Sequence, residues 1–163
     1  LEGVFLLNPA KDGGWSRSQI SNNPTGEVRQ GAGARGEKFI AAIEPMHGNQ
    51  LSIYTAAKGE KLWSRNVITD SLDQGHALAT GDFLGTGSDQ IVVGWRGTRR
   101  TGKVGVKLFY PTDKKRTKWK IQLIDDNEMA TEDIRVADLN ADGKPDIVAA
   151  GRATHNLKIY FNE

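Results

Sequence analysis

Oxygen-bearing side chains at Asp138, Asn140, Asp142 and Asp146 share a nine-residue run in which Lys144 adds a backbone carbonyl and Gly143 stands at the sixth position. A hard cation such as Ca2+ is held by carboxylate, amide and carbonyl oxygens, and a glycine at that place lets the chain turn sharply around it. The run is therefore a candidate calcium loop, joined directly to the apolar stretch Ile147-Val148-Ala149-Ala150. Calcium in such an all-oxygen turn is expected to be structural, because it fixes the exit angle of the next strand and presents no obvious activated water. The metal-free alternative is an Asx-rich turn closed by its own side-chain to backbone bonds. Three carboxylates so close together favour the cation.

A second set of residues carries different chemistry. His76 and Glu132 lie 56 residues apart and Asp133 follows at once, so a histidine and carboxylates are available as general acid and base or as ligands of a second divalent metal. Arg96, Arg152 and His155 are the ligand-binding candidates beside them, suited to orienting hydroxyl or anionic groups. Trp95 joins them as a possible sugar-stacking ring. The plainer reading is a polar rim, with Asp133 pairing locally with Arg135 or Arg152 and His155 closing a turn beside Asn156. No contiguous nucleophile or zinc-protease motif supports an enzyme.

The elements that must position these residues are strands. Apolar, β-branched runs recur at Phe39–Ile43, Ile91–Trp95 and Ile147–Gly151, offset by 52 and then 56 residues. Aromatic-rich runs follow them at Leu51–Tyr54, Val106–Tyr110 and Leu157–Phe161, with an earlier copy at Val4–Leu7. The spacing Trp-x4-Ile occurs three times, at Trp15, Trp63 and Trp119, so these rings are read as packing residues. No helical period is sustained, and four short strands per repeat of about 50 residues is the signature of propeller blades, none of which buries both faces alone. The expected fold is all-β: about three four-stranded antiparallel blade-lengths, with repeat units at approximately 1–20, 21–68, 69–124 and 125–163. The chain enters and leaves at a third strand, which implies a larger propeller or an assembly of several copies. The absence of an initial methionine likewise suggests a processed or excised fragment.

Composition narrows the classes. A chain of 163 residues with 19 glycines and 26% charged residues is one loop-rich globular domain. Its apolar runs are too short for a membrane span. A net charge of +2 does not call for nucleic acid, and the run Lys114 to Lys120 reads as a solvated loop. With no cysteine, thiol chemistry and disulfides are excluded. Asp125-Asp126-Asn127-Glu128 is either a further acidic ion site or a plain surface turn, and Gly31-Ala32-Gly33 lacks the helix and Lys-Ser/Thr pair of a phosphate loop.

Asp138-x-Asn140-x-Asp142-Gly143-x-Pro145-Asp146-Ile147-Val148 resembles the calcium motif of FG-GAP/VCBS-repeat β-propellers, and the blade pattern is similar over essentially the whole chain. The flanks Glu128–Asp133 and Ala150–Tyr160 resemble bacterial VCBS-type propellers, some related to aldos-2-ulose dehydratase/isomerase enzymes. The resemblance implies a secreted, periplasmic or cell-surface module that binds carbohydrate or a protein ligand, with part of a sugar lyase or isomerase as the alternative. The equivalent loop at Asp82 departs from the pattern, with Leu84, Thr86 and Gln90 in place of Asn140, Asp142 and Asp146, so one calcium site is expected. In an up-and-down meander all three histidines fall at the end opposite that loop.

Overall fold

A computed structural model describes residues 2–163, which form thirteen strands and no helix. The strands group in chain order into four antiparallel sheets. The first holds β1 (Val4–Pro9) and β2 (Trp15–Ser21); the second holds β3 (Glu27–Ala32), β4 (Lys38–Glu44), β5 (Gln50–Thr55) and β6 (Ser64–Thr69). The third holds β7 (Gly75–Gly81), β8 (Gln90–Trp95), β9 (Gly105–Pro111) and β10 (Trp119–Asp126), and the fourth β11 (Thr131–Ala137), β12 (Asp146–Gly151) and β13 (Asn156–Tyr160). Every strand pairs with its sequence neighbour, and no sheet closes on itself. The repeated runs of the sequence are these strands in the expected order.

Continuous apolar character in β4 and β8 follows from burial on both faces. Because side chains alternate across a strand, Phe39, Ala41 and Ile43 meet Ile91, Val93 and Leu78 between the second and third sheets. Ile40 and Ala42 face the other way, onto Val4 and Ile20 of the first sheet. Val92 turns toward Ile134, Ile147 and Ala149 of the fourth. Burying side chains of this size contributes about 1.5–3 kcal/mol each.

The tryptophans obey the same geometry. Trp119 packs onto the core between the second and third sheets, and Trp63 onto the core between the first and second. Trp15 holds the same register but is 70% exposed, since no described sheet lies beyond it. β7 lies beside both β3 and β11, so the first strands of successive sheets are neighbours. The approach of the third and fourth sheets needs Gly94, because a Cβ there would collide with the Thr131 side chain.

Candidate functional site

At one end of the sheets, backbone irregularities aim the polar residues. Gly75 pairs with Trp95 and Ala77 with Gly94, which leaves His76 without a cross-strand partner. Glu132 is skipped in the same way between Thr131 and Asp133. Both are extra residues of β-bulges, a device that re-aims a side chain. His76 Nδ1 lies 2.8 Å from the Glu132 carbonyl oxygen and His76 Nε2 4.0 Å from Glu132 Oε1. A carbonyl only accepts, so Nδ1–H donates to it, and in the neutral tautomer Nε2 is the nitrogen that carries the lone pair.

The Glu132 carboxylate is shared by cations. Arg96 Nη1 stands 2.6 Å from both of its oxygens, and Arg152 Nη1 is 3.9 Å from Oε1. Burial pushes the Glu132 carboxyl up, but the Arg96 bond and the charges of His76, Arg96 and Arg152 outweigh it and hold the group below its usual value. The His47 ring stacks on His76 with centroids 4.4 Å apart and planes 5° from parallel. Loss of water around His47, together with His76 and Arg96, pushes its imidazole down, against Glu27 and Glu132. Arg96, Glu132, Arg152 and His155 line a cavity of about 370 Å³ with Gln74 and Ala153. Arg96 Nε is buried without a partner.

The three histidines of the sequence thus gather at one end, as the meander requires, but two candidates stay apart. Asp133 turns away from Glu132: its carboxylate accepts from Ile134 N at 2.9 Å and Arg135 Nη1 at 2.7 Å. Trp95 is not available for stacking, because the ring is 5% exposed, Nε1 donates to Lys103 O at 2.8 Å and Lys107 Nζ lies 4.6 Å from the ring centroid. Gln74 was not legible as a site residue. Its backbone φ of 51° matches those of His47 (50°) and His155 (51°), and three non-glycine residues in the left-handed region at one end signal specialised turns.

At the opposite end the Asp138 loop is closed by its own backbone. Asp138 accepts from Asp142 N at 3.2 Å and Gly143 N at 2.9 Å, and Asn140 Oδ1 also accepts from Asp142 N, at 3.1 Å. Asp142 Oδ1 takes the Lys144 N–H at 2.8 Å. Asp146 is fully buried, with one oxygen on Leu139 N and the other on Asn162 N, each at 2.9 Å, and these bonds hold its carboxyl below the usual range. The Asp82 loop repeats the arrangement: Asp82 accepts from Thr86 N at 2.8 Å and Gly87 N at 2.6 Å, with no acidic group at positions 84, 86 or 90. Both turns are therefore closed by the same side-chain to backbone bonds. The donor types of the Asp138 loop fit a hard ion, and Asp138 and Asn140 oxygens converge on the Asp142 N–H. Even so, among the described residues no three His, Asp or Glu side chains gather as a metal cluster.

Asp125 belongs to a structural network, not an open acidic site: it is buried, takes Lys158 Nζ and Tyr160 Oη at 2.8 Å and caps Glu128 N at 2.9 Å. No helix among the described residues is long and apolar enough to cross a membrane. No family model and no curated protein matches the chain.

Proposed function

We propose that this chain is a segment of an FG-GAP/VCBS-type β-propeller whose histidine-bearing end binds carbohydrate. Sheets of two, four, four and three strands, with neighbouring first strands, support radial stacking in which each sheet is one blade. The observation that carries the ligand reading is the bulged pair His76 and Glu132 beside a 370 Å³ cavity, framed by Arg96, Arg152 and His155. An unpartnered Arg96 Nε calls for an acceptor such as a sugar hydroxyl or a water. Cavities of this size with a few convergent polar groups are suited to small ligands. A protein ligand remains the other occupant, and a secreted, periplasmic or cell-surface location accords with either.

Calcium enters the same proposal as a staple for the last sheet, held by Asp138, Asn140, Asp142, the Lys144 carbonyl and Asp146. It would rigidify the turn into β12 and takes no part in binding sugar.

Binding is preferred to catalysis because Glu132 gives both oxygens to Arg96 and is held ionised, which makes it a poor proton donor and a weak base. One observation favours the lyase or isomerase alternative: the lone pair of His76 Nε2 could take a proton from a carbon next to a sugar carbonyl, or hold a second divalent metal. A glycan array followed by turnover assays on the bound sugars separates the two. Retained sugar without turnover is expected for the native chain, with retention lost in His76→Ala and Glu132→Gln. A blank array removes the carbohydrate reading, and turnover abolished by His76→Ala establishes the enzyme instead.

A further inference from the structure

Another cavity lies at the end opposite the histidines. It measures about 680 Å³ and opens between the β3–β4 hairpin, the Asp82 loop and the β9–β10 link. At its edge sits Arg116, only 6% exposed. Its Nη1 donates to Asp89 O at 3.2 Å, its Nη2 to Ala32 O at 3.2 Å and Ser88 Oγ at 2.7 Å, and its guanidinium lies 4.3 Å from the Phe39 ring centroid. All these partners are neutral, and no carboxylate among the described residues forms an ion pair with it. A buried cation with no carboxylate in contact is costly and draws on such hydrogen bonds for compensation. Stapling the second sheet to the third accounts for three of the five guanidinium donors and leaves two.

Glu37 and Asp89 pull on that charge from beyond ion-pair distance, and the carboxylates around the cavity are oriented by backbone groups. Glu37 accepts from Arg35 N at 2.9 Å, Asp89 from Ala32 N at 2.8 Å, and Asp113 from Thr117 N at 2.9 Å and Lys118 N at 2.8 Å. Arg35, Lys114 and Lys115 line the same cavity without an ion-pair partner among the described residues. Burial pulls the Arg116 guanidinium down from its ordinary value, against the opposing pull of Glu37 and Asp89. Glu37 and Asp113 also line the cavity, which leaves four cations against two carboxylates; the other polar lining is hydroxyl- or amide-bearing, Thr86, Ser88, Gln90 and Thr112, with Tyr110 and Leu84 as apolar surface. A modest excess of positive charge beside hydroxyl and amide groups and an aromatic ring suits a ligand with one carboxylate per unit and many hydroxyls. A polyanion with a charge at every step matches it less well.

We infer that this cavity is a second binding site, for a uronate residue of an acidic glycan, with Arg116 facing the carboxylate and Arg35, Lys114 and Lys115 at the rim. It stands on residues other than those of the histidine end, so the two proposals fail separately. The experiment is calorimetric titration of the full chain with trigalacturonate, a neutral galactose trisaccharide and sulfate. Saturable binding of trigalacturonate is expected, with the neutral sugar and sulfate each at least about tenfold weaker. Lys114→Glu with Lys115→Glu should weaken it by about tenfold or more at an unchanged melting temperature. The charge-matched control Lys11→Glu with Lys61→Glu, both exposed and outside the cavity lining, should bind as the native chain does. Arg116→Gln should abolish binding, and should it fail to fold, the rim variant decides. Equal affinity for the neutral trisaccharide or for sulfate, no saturable binding, or binding indifferent to the rim substitutions would overturn the inference. Uronate binding lost in Arg152→Ala but kept in the rim variant would move the ligand to the other end and overturn it equally.

Discussion

Glu132 shows how much one bulge residue can organise. Its carbonyl holds His76, its carboxylate holds Arg96, and Arg152 approaches from the fourth sheet. Removing that carboxylate in Glu132→Ala leaves Arg96 unpaired at a partly buried position, a loss of about 1–3 kcal/mol that urea unfolding would register. The stacked His47 gives a pH dependence of known sign. Its folded value lies below the ordinary 6.5, so the unfolded chain binds more protons as pH drops through 6.5, and stability falls until the lowered folded value is reached. Glu132 adds in the same direction lower down: its contribution is complete above the ordinary 4.5 and is lost as pH falls through the lowered folded value. Calorimetric melting between pH 7.5 and 5 should show a decline that His47→Gln flattens; an identical slope in that variant would remove His47 from the account. The pairing of His76 with Glu132 was legible in their 56-residue spacing. The bulges that aim them were not, because a bulge is a register event between two strands. Trp95 failed for a related reason: its lack of a repeat partner marked it as unusual, while burial against Lys103 and Lys107 is a tertiary fact.

Loops and strands tell the same story one scale up. Loss of the acidic ligands around Asp82 was readable, and so was survival of the glycine turn. The sequence does not reveal that Asp82 and Asp138 each bind the amides four and five residues on, so that both loops close by the same bonds. A sharp difference follows. Asp82→Ala should destabilise the chain by about 1–2 kcal/mol whether or not calcium is present. Calcium at about a hundred times its dissociation constant should stabilise the native chain by about 2.7 kcal/mol, and Asp142→Ala should cancel that gain. A melting temperature unmoved by chelation would contradict the calcium assignment. Gly94 sets the spacing between β8 and β11, so Gly94→Ala should cost about 1–3 kcal/mol by overpacking against Thr131. Glycine in a strand signalled a close approach without naming the residue approached.

At the scale of the whole molecule, the repeat arithmetic was the strongest signal, because both-face burial leaves continuous apolar strands that recur at one spacing. It predicted an all-β chain with the apolar and aromatic runs in this order, and the structure has thirteen strands in sheets of two, four, four and three. It could not tell which outer faces are covered. Leu7 and Trp15 of the first sheet are 57% and 70% exposed, and Leu157, Ile159 and Phe161 at the other extreme 64%, 44% and 53%. Apolar groups collected on two outer faces seek cover, so the isolated chain should sediment as a self-associated species, and Leu157→Lys with Ile159→Lys should return it to monomer. The central claim concerns the end that carries the histidines. Its most direct test is calorimetric titration of an array-selected oligosaccharide into the native chain and into Arg152→Ala, whose side chain is 80% exposed and whose fold should survive. The account predicts about tenfold or greater loss of affinity at an unchanged melting temperature; equal affinity in the two proteins would contradict it.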